Sequence, residues 1–182
     1  MGYDERLELN DGRLVWYLDE GPEEAVAVVF CHGSPSSRLA AVDQVSRAVE
    51  RGGRIIAPDR PGLGRSDLER GRSLAGWAGD VAELLNALRV SRFRVLAVSG
   101  GGPYALALAW ALPDRVERVA LLSSPGSFDI PGAMDGMASA HRTTWLMARR
   151  SPRTLGWLLG RQAAALAQED SAVAVVDAAV VD

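Results

Sequence analysis

Ser99 is the residue of this chain best placed for covalent chemistry. It stands in Ala97-Val98-Ser99-Gly100-Gly101, after the apolar run "RFRVLAV" and before the apolar stretch "YALALAWAL". Small residues two positions to either side let a serine occupy a sharp strand-to-helix turn, from which its hydroxyl projects beyond the sheet. The matching chemistry is attack on a carbonyl carbon to give an acyl-enzyme, with the Gly100 N–H facing the developing oxyanion at the start of the helix. Ala97 replaces the usual glycine, a departure of a single methyl group. A second oxyanion donor is expected from the loop after another strand. The run "AVAVVFC" leads into such a loop, His32-Gly33-Ser34-Pro35. A third feature, "APDRPGLGRSD" at 57–67, comes after the next apolar run. There Asp59 and Asp67 shape a loop by bonding nearby backbone, and Gly62 and Gly64 supply its turns.

The same corner also satisfies a phosphate-binding pattern. Gly100, Gly102 and Ala105 fit G-x-G-x-x-G/A at a strand-to-helix turn, where a helix N-terminus attracts anions. That pattern calls for an acidic residue about 20 residues on, to hold a ribose. The chain has Ser123, Ser124 and Pro125 there. The turn also comes after several strands rather than at the first strand–helix junction. The nucleophile reading is therefore preferred.

The elements that must hold these residues alternate. "LELNDGRLVWYL" alternates apolar residues around Asp11-Gly12, a hairpin signal. "AVAVVFC" at 25–31 is a Val-rich run suited to a strand buried on both faces. Val42, Val45 and Val49 recur at helical spacing, and Gly52-Gly53 stops that helix. "RIIAP" is a further strand. Ser73 caps a helix carrying Leu74, Trp77, Val81, Leu84, Leu85 and Leu88 on one face. "RFRVLAV" is a strand, 104–112 a helix and "VERVALLS" a strand. A hairpin followed by strand–helix alternation predicts an α/β fold, a mostly parallel sheet with helices on both faces. From about Pro125 the pattern becomes helical, with a break at Ser151-Pro152. The terminal "SAVAVVDAAVVD" is read as helix.

Composition narrows the class. The chain has 182 residues, 48% of them hydrophobic and 24% charged, enough for one sizeable core. A net charge of −3 creates no field for nucleic acid or anionic membrane. All 20 basic residues are Arg, and they are scattered. Cys31 is alone, no Cys/His cluster has metal-ligand spacing, and no apolar run reaches membrane-span length. The acidic N-terminus does not read as a signal peptide, so a cytoplasmic protein is expected.

Taken in order, His32-Gly33-x-Pro35, Pro58-Asp59-Arg60-Pro61-Gly62-x-Gly64-x-Ser66-Asp67 and Ser99-Gly100-Gly101-Gly102-Pro103-Tyr104-Ala105 closely resemble the α/β-hydrolase fold superfamily, in particular its capped serine hydrolases. The resemblance covers essentially the whole chain. It implies Ser99 as nucleophile and the backbone N–H groups of Ser34 and Gly100 as the oxyanion hole. His32, Gly33, Ala97 and Gly101 support that motif. It implies a hydrolase core over 1–128 and the start of a helical cap over 129–182. The expected substrate is a small ester, lactone or amide, with no metal and no organic cofactor. In that family the acid and the histidine base come after the cap. The chain ends within what resembles the cap, so an N-terminal portion lacking the C-terminal strands is expected, with little activity alone and with "VERVALLS" as an open sheet edge. His32 is read as structural. Asp129 and His141 are subsidiary candidates for acid and base. Met134, Met137, Trp145, Met147 and Trp157 are read first as the cap's packing face. The alternatives are a non-catalytic binding module on the same fold and, further off, a nucleotide-binding protein.

Overall fold

The computed structural model describes residues 2–168. A six-stranded sheet has the order β1-β2-β4-β3-β5-β6. Its strands are β1 (Gly2–Glu8), β2 (Leu14–Glu20), β3 (Ala27–Cys31), β4 (Arg54–Pro58), β5 (Phe93–Val98) and β6 (Val116–Leu122). The hairpin β1–β2 turns at Gly12, whose φ of +85° lies in the left-handed region. β2 joins β4 antiparallel, while β4, β3, β5 and β6 run parallel. The expected mostly parallel α/β sheet is thus present.

β3 lies between β4 and β5, as its Val-rich run requires. Its alternate residues feed two cores. On one face Val29 and Cys31 join Val95 and Ala97 of β5, with Trp77, Val81, Leu84 and Leu85 of α2 (Leu74–Ala87) and Ala105 and Leu108 of α3 (Gly102–Ala111). On the other, Phe30 packs with Leu18, Ile55 and Ala57, and with Val45 of α1 (Val42–Val49). A period of two in the strands thus requires helices on both faces, and the chain supplies them. Ser73 caps α2 by accepting from the Gly76 N–H at 2.9 Å, as the sequence predicts.

Several boundaries differ from those expected from sequence, for local reasons. β3 begins at Ala27 rather than at Ala25, whose N–H is held in a turn by the Pro22 carbonyl at 3.0 Å. α3 begins at Gly102 rather than at Tyr104, after a 3-10 turn over Ser99–Gly101. α3 is apolar around its whole circumference, yet it buries only Gly102, Ala105 and Leu108. Leu106 and Trp110 remain 53% and 78% exposed. Leu74 of α2 is exposed as well, and with Leu106, Trp110 and Pro125 it lines an apolar groove. β6 is an open edge of the sheet, and its Leu121 and Leu122 are exposed.

The described chain forms two compact units, Met1–Ser127 and a second that starts at Phe128. Helix does not begin near Pro125, where the sequence suggests it. The segment up to Ala138 is turns, with Gly132 and Gly136 at φ +80° and +74°, and α4 (Ser139–Arg150) starts beyond them. The break at Ser151-Pro152 separates α4 from α5 (Pro152–Gln168). Within the second unit the Trp145 ring packs on Phe128 at 4.2 Å between centroids. No residue of α4 is buried and Trp157 is 59% exposed, so these aromatics do not form a closed packing face. The helix expected over "SAVAVVDAAVVD" lies outside the described residues.

Candidate active site

At the C-terminal end of β5 the chain turns abruptly. Ser99 has φ +50°, a left-handed conformation for a residue that carries a side chain, and it is exposed. Such a backbone costs on the order of 1–2 kcal/mol. It persists because the glycines after Ser99 are locked in place. A side chain on Gly101 would overlap the Cys31 carbonyl, and one on Gly102 would meet the Ser124 side chain at 2.5 Å. These two glycines therefore seat the start of α3 against the ends of β3 and β6. A Cβ on Gly100 would lie 2.9 Å from Ser34 Oγ and 3.2 Å from Ser34 N. None of the three opens onto free space, as a phosphate cradle would need.

The loop after β3 approaches Ser99 from the side. A Cβ on Gly33 would stand 3.5 Å from Ser99 Cβ and 4.0 Å from its Oγ, ordinary van der Waals contact that places this loop directly beside the hydroxyl. Ser34, like Ser99, is exposed. The sheet end thus gathers Ser99, Gly100, Gly33 and Ser34, four residues the sequence picks out, and Ala97 lies fully buried beneath them. An exposed hydroxyl beside the first turn of a helix and a neighbouring loop can receive a carbonyl group and surround its oxygen with N–H donors.

His32 is completely buried. Its Nδ1 is 3.0 Å from the Gly33 carbonyl, and the Arg60 N–H points at its Nε2 at 3.4 Å. Those partners assign the neutral ring, protonated on Nδ1. Burial, aided by the Arg60 charge, lowers its pKa to about 4. Both nitrogens are engaged and the ring is out of solvent, which agrees with a structural part for His32. Cys31 is buried beside it, and desolvation pushes its thiol up to about 12.

Arg60 is the residue that motif reading passes over. It is 2% exposed, and its guanidinium donates to the carbonyls of His32 and Gly33 and to Ser34 Oγ, the last two at 2.6 and 2.8 Å. The Tyr104 ring covers it at 4.5 Å. Burial draws its pKa below the ordinary arginine value. A charged residue is expected at the surface from its type alone. The signal available in the sequence was its place between Asp59 and Pro61, inside a turn-rich loop.

Around Arg60 the 59–67 loop is fastened as its Asp and Gly content suggests. Asp59 is 1% exposed and accepts from the Arg38 guanidinium at 2.6 Å and from the Arg65 N–H at 3.1 Å. A side chain on Gly64 would overlap that carboxylate. Ser66 accepts from the Trp16 N–H at 2.9 Å, and Asp67 from the Leu14 N–H at 2.8 Å, tying the loop to β2.

The subsidiary candidates belong to the second unit. Asp129 pairs with Arg149 at 3.5 Å and its side chain is 83% exposed. His141 is an exposed residue of α4. Among the described residues no group of three or more His, Cys, Asp or Glu converges on one point, and no helix is long and apolar enough to cross a membrane.

With this geometry the chain matches the alpha/beta hydrolase fold family over residues 26–175, and it belongs to that family. A non-heme chloroperoxidase of Streptomyces lividans is 38% identical over 117 residues, 63% of this chain and 42% of that enzyme. A bifunctional esterase/perhydrolase of Acinetobacter calcoaceticus is 33% identical over 126 residues, 68% of this chain and 45% of that enzyme. Among solved structures, Cfl2 of Burkholderia cenocepacia superimposes with a TM-score of 0.72 at 27% identity, over 87% of this chain and 55% of that one. Est816, described as an N-acyl homoserine lactone degrading enzyme, gives 0.63 at 28% identity, over 84% and 62%. The chain spans less than half the length of these curated relatives. Its homologues are hydrolases, a haloalkane dehalogenase and an epoxide hydrolase among them.

Proposed function

We propose that the whole protein is a serine hydrolase that acts on a small ester, lactone or amide through an acyl-enzyme. The observation that carries this reading is the Ser99 backbone, at φ +50° on the turn between β5 and α3 with its side chain exposed. Strain of this kind is retained where a function needs the group it presents. Ser99 Oγ attacks the carbonyl carbon, its proton passes to a base, and the alcohol or amine leaves with a proton. The N–H groups of Ser34 and Gly100 hold the oxygen as it gains charge. Water then releases the acid. The relatives that support this substrate class are the esterase/perhydrolase and the lactone-degrading Est816.

His32 does not serve as the base, because its ring is buried and both nitrogens are bonded. It is the only histidine of the unit Met1–Ser127. The base therefore comes from outside that unit. Loss of the base lowers turnover by on the order of 10⁶, so the unit Met1–Ser127 alone is expected to be nearly inert. The test is a fluorophosphonate probe applied to the protein expressed from its full reading frame, with peptide mapping of the adduct. Labelling at Ser99, lost in Ser99→Ala, is the expected result. A folded protein that stays unlabelled would instead be a non-catalytic binder on the same fold.

A further inference from the structure

Ser34 offers more to this site than its N–H. Its hydroxyl accepts from Arg60 Nη2 at 2.8 Å, and no acceptor for its own proton is found among the described residues. Its oxygen is also near the corner, since a Cβ on Gly100 would lie 2.9 Å from Ser34 Oγ. Ser34 itself is exposed, whereas Arg60 is buried. The hydroxyl thus bridges a buried cation and the open face that carries Ser99.

We propose that the Ser34 side-chain hydroxyl is a third oxyanion donor, aimed by Arg60. The inference rests on Ser99 being the nucleophile. A serine hydroxyl is ambivalent, with one donor and two acceptor lone pairs. A guanidinium has donors only, so it fixes the hydroxyl as acceptor on that side and turns the O–H away from itself. A charge-assisted bond of this kind also polarises the O–H and makes it a stronger donor. Arg60 can hold this aim because its other donors grip the His32 and Gly33 carbonyls and Tyr104 covers its face. Arg60 touches no substrate in this arrangement, so it is a positioning residue. The oxygen of a tetrahedral adduct on Ser99 would then meet the N–H groups of Ser34 and Gly100 and the Ser34 O–H.

Removing one preorganised oxyanion donor costs about 10²–10³ in rate. With two donors left, Ser34→Ala is expected to slow the reaction about 10–100-fold. The readout is the second-order rate of fluorophosphonate labelling at Ser99 in the full-length protein, because the phosphonyl oxygen gains charge in the same place. With p-nitrophenyl acetate the loss should fall on kcat, with KM nearly unchanged. Ser34→Thr, which puts the hydroxyl back, should recover most of the loss. In Ser34→Ala, Arg60 Nη2 keeps the Gly33 carbonyl, so the variant should stay folded with a slightly lower melting temperature, and Ser34→Thr should melt at the wild-type temperature. A Ser34→Ala protein that labels at the wild-type rate, while Ser99→Ala is silent, overturns the third donor and leaves the nucleophile standing. A wild-type protein that does not label overturns both.

Discussion

Acidification should weaken this fold through one buried ring. His32 has no exposed surface, and burial followed by the Arg60 charge lowers its pKa from 6.5 to about 4. Between those values the unfolded chain holds a proton that the folded chain refuses. Stability contributed by the neutral ring is therefore complete above pH 6.5, falls as the pH drops toward 4, and levels off below it. At 1.36 kcal/mol per pH unit the full effect is about 3 kcal/mol, of which about 2 kcal/mol has been lost by pH 5. Protonation would also remove the Nε2 lone pair that faces the Arg60 N–H and would place a second positive charge beside a buried guanidinium. Urea unfolding followed by tryptophan fluorescence at pH 8, 6 and 5 measures this. The comparison is with His32→Gln, which has no titrating ring. Every other titrating group is common to both proteins, so its contribution cancels in the difference. The wild-type protein should lose about 2 kcal/mol more than the variant between pH 8 and pH 5. Parallel curves would mean that His32 takes up its proton in the folded protein as readily as in the unfolded chain, and the cost assigned to its burial would be wrong.

Two further changes test how the corner is built. Ser99→Gly relieves the left-handed strain at φ +50° and should raise stability by up to about 1 kcal/mol, read as a higher melting temperature; a lower one would mean that the turn is not strained. Gly101→Ala drives a methyl into the Cys31 carbonyl, which is backbone and does not yield. It should cost about 3 kcal/mol or more in denaturant unfolding and slow the labelling of Ser99, and a variant within 1 kcal/mol of wild type would show that the α3–β3 contact is loose.

The sheet was legible because its signals agree at several levels. Val-rich β3 reads as a doubly buried strand, Ser73 as a helix cap and Asp11-Gly12 as a hairpin turn, and each was found so. The site was legible in part. Ser99, Gly100, Gly33 and Ser34 come from different loops, and only their order along the chain and their positions at strand ends suggested that they converge. Arg60 was not legible as a buried residue. Its burial depends on two carbonyls, a hydroxyl and an aromatic face supplied by other segments, and no local pattern announces that partnership. The turns before α4 were missed for another reason. The stretch from about Pro125 was read as helix throughout, but Pro131, Gly132 and Gly136 break it, two of them at positive φ.

The costs in this unit concentrate at one place. Ser99 is held in a left-handed turn, Arg60 is a buried cation, and His32 is a buried ring denied its proton. Each would be selected against in a core whose only task was to fold, since burial without purpose destabilises. They are not scattered. Arg60 touches the His32 and Gly33 carbonyls and Ser34, and Gly33 and Gly100 touch the surroundings of Ser99. The fold bears the cost through β3 and β5, whose Val29, Phe30, Val95 and Ala97 are nearly or fully buried and run straight into the two loops concerned. Local conflict set on the best-packed strands is the pattern expected of a functional site. It also explains why the loop after β3 needs an arginine rather than a neutral clamp. Two carbonyls and a hydroxyl oxygen converge from one side, all acceptors, and only a side chain with several donors and no acceptor satisfies them together.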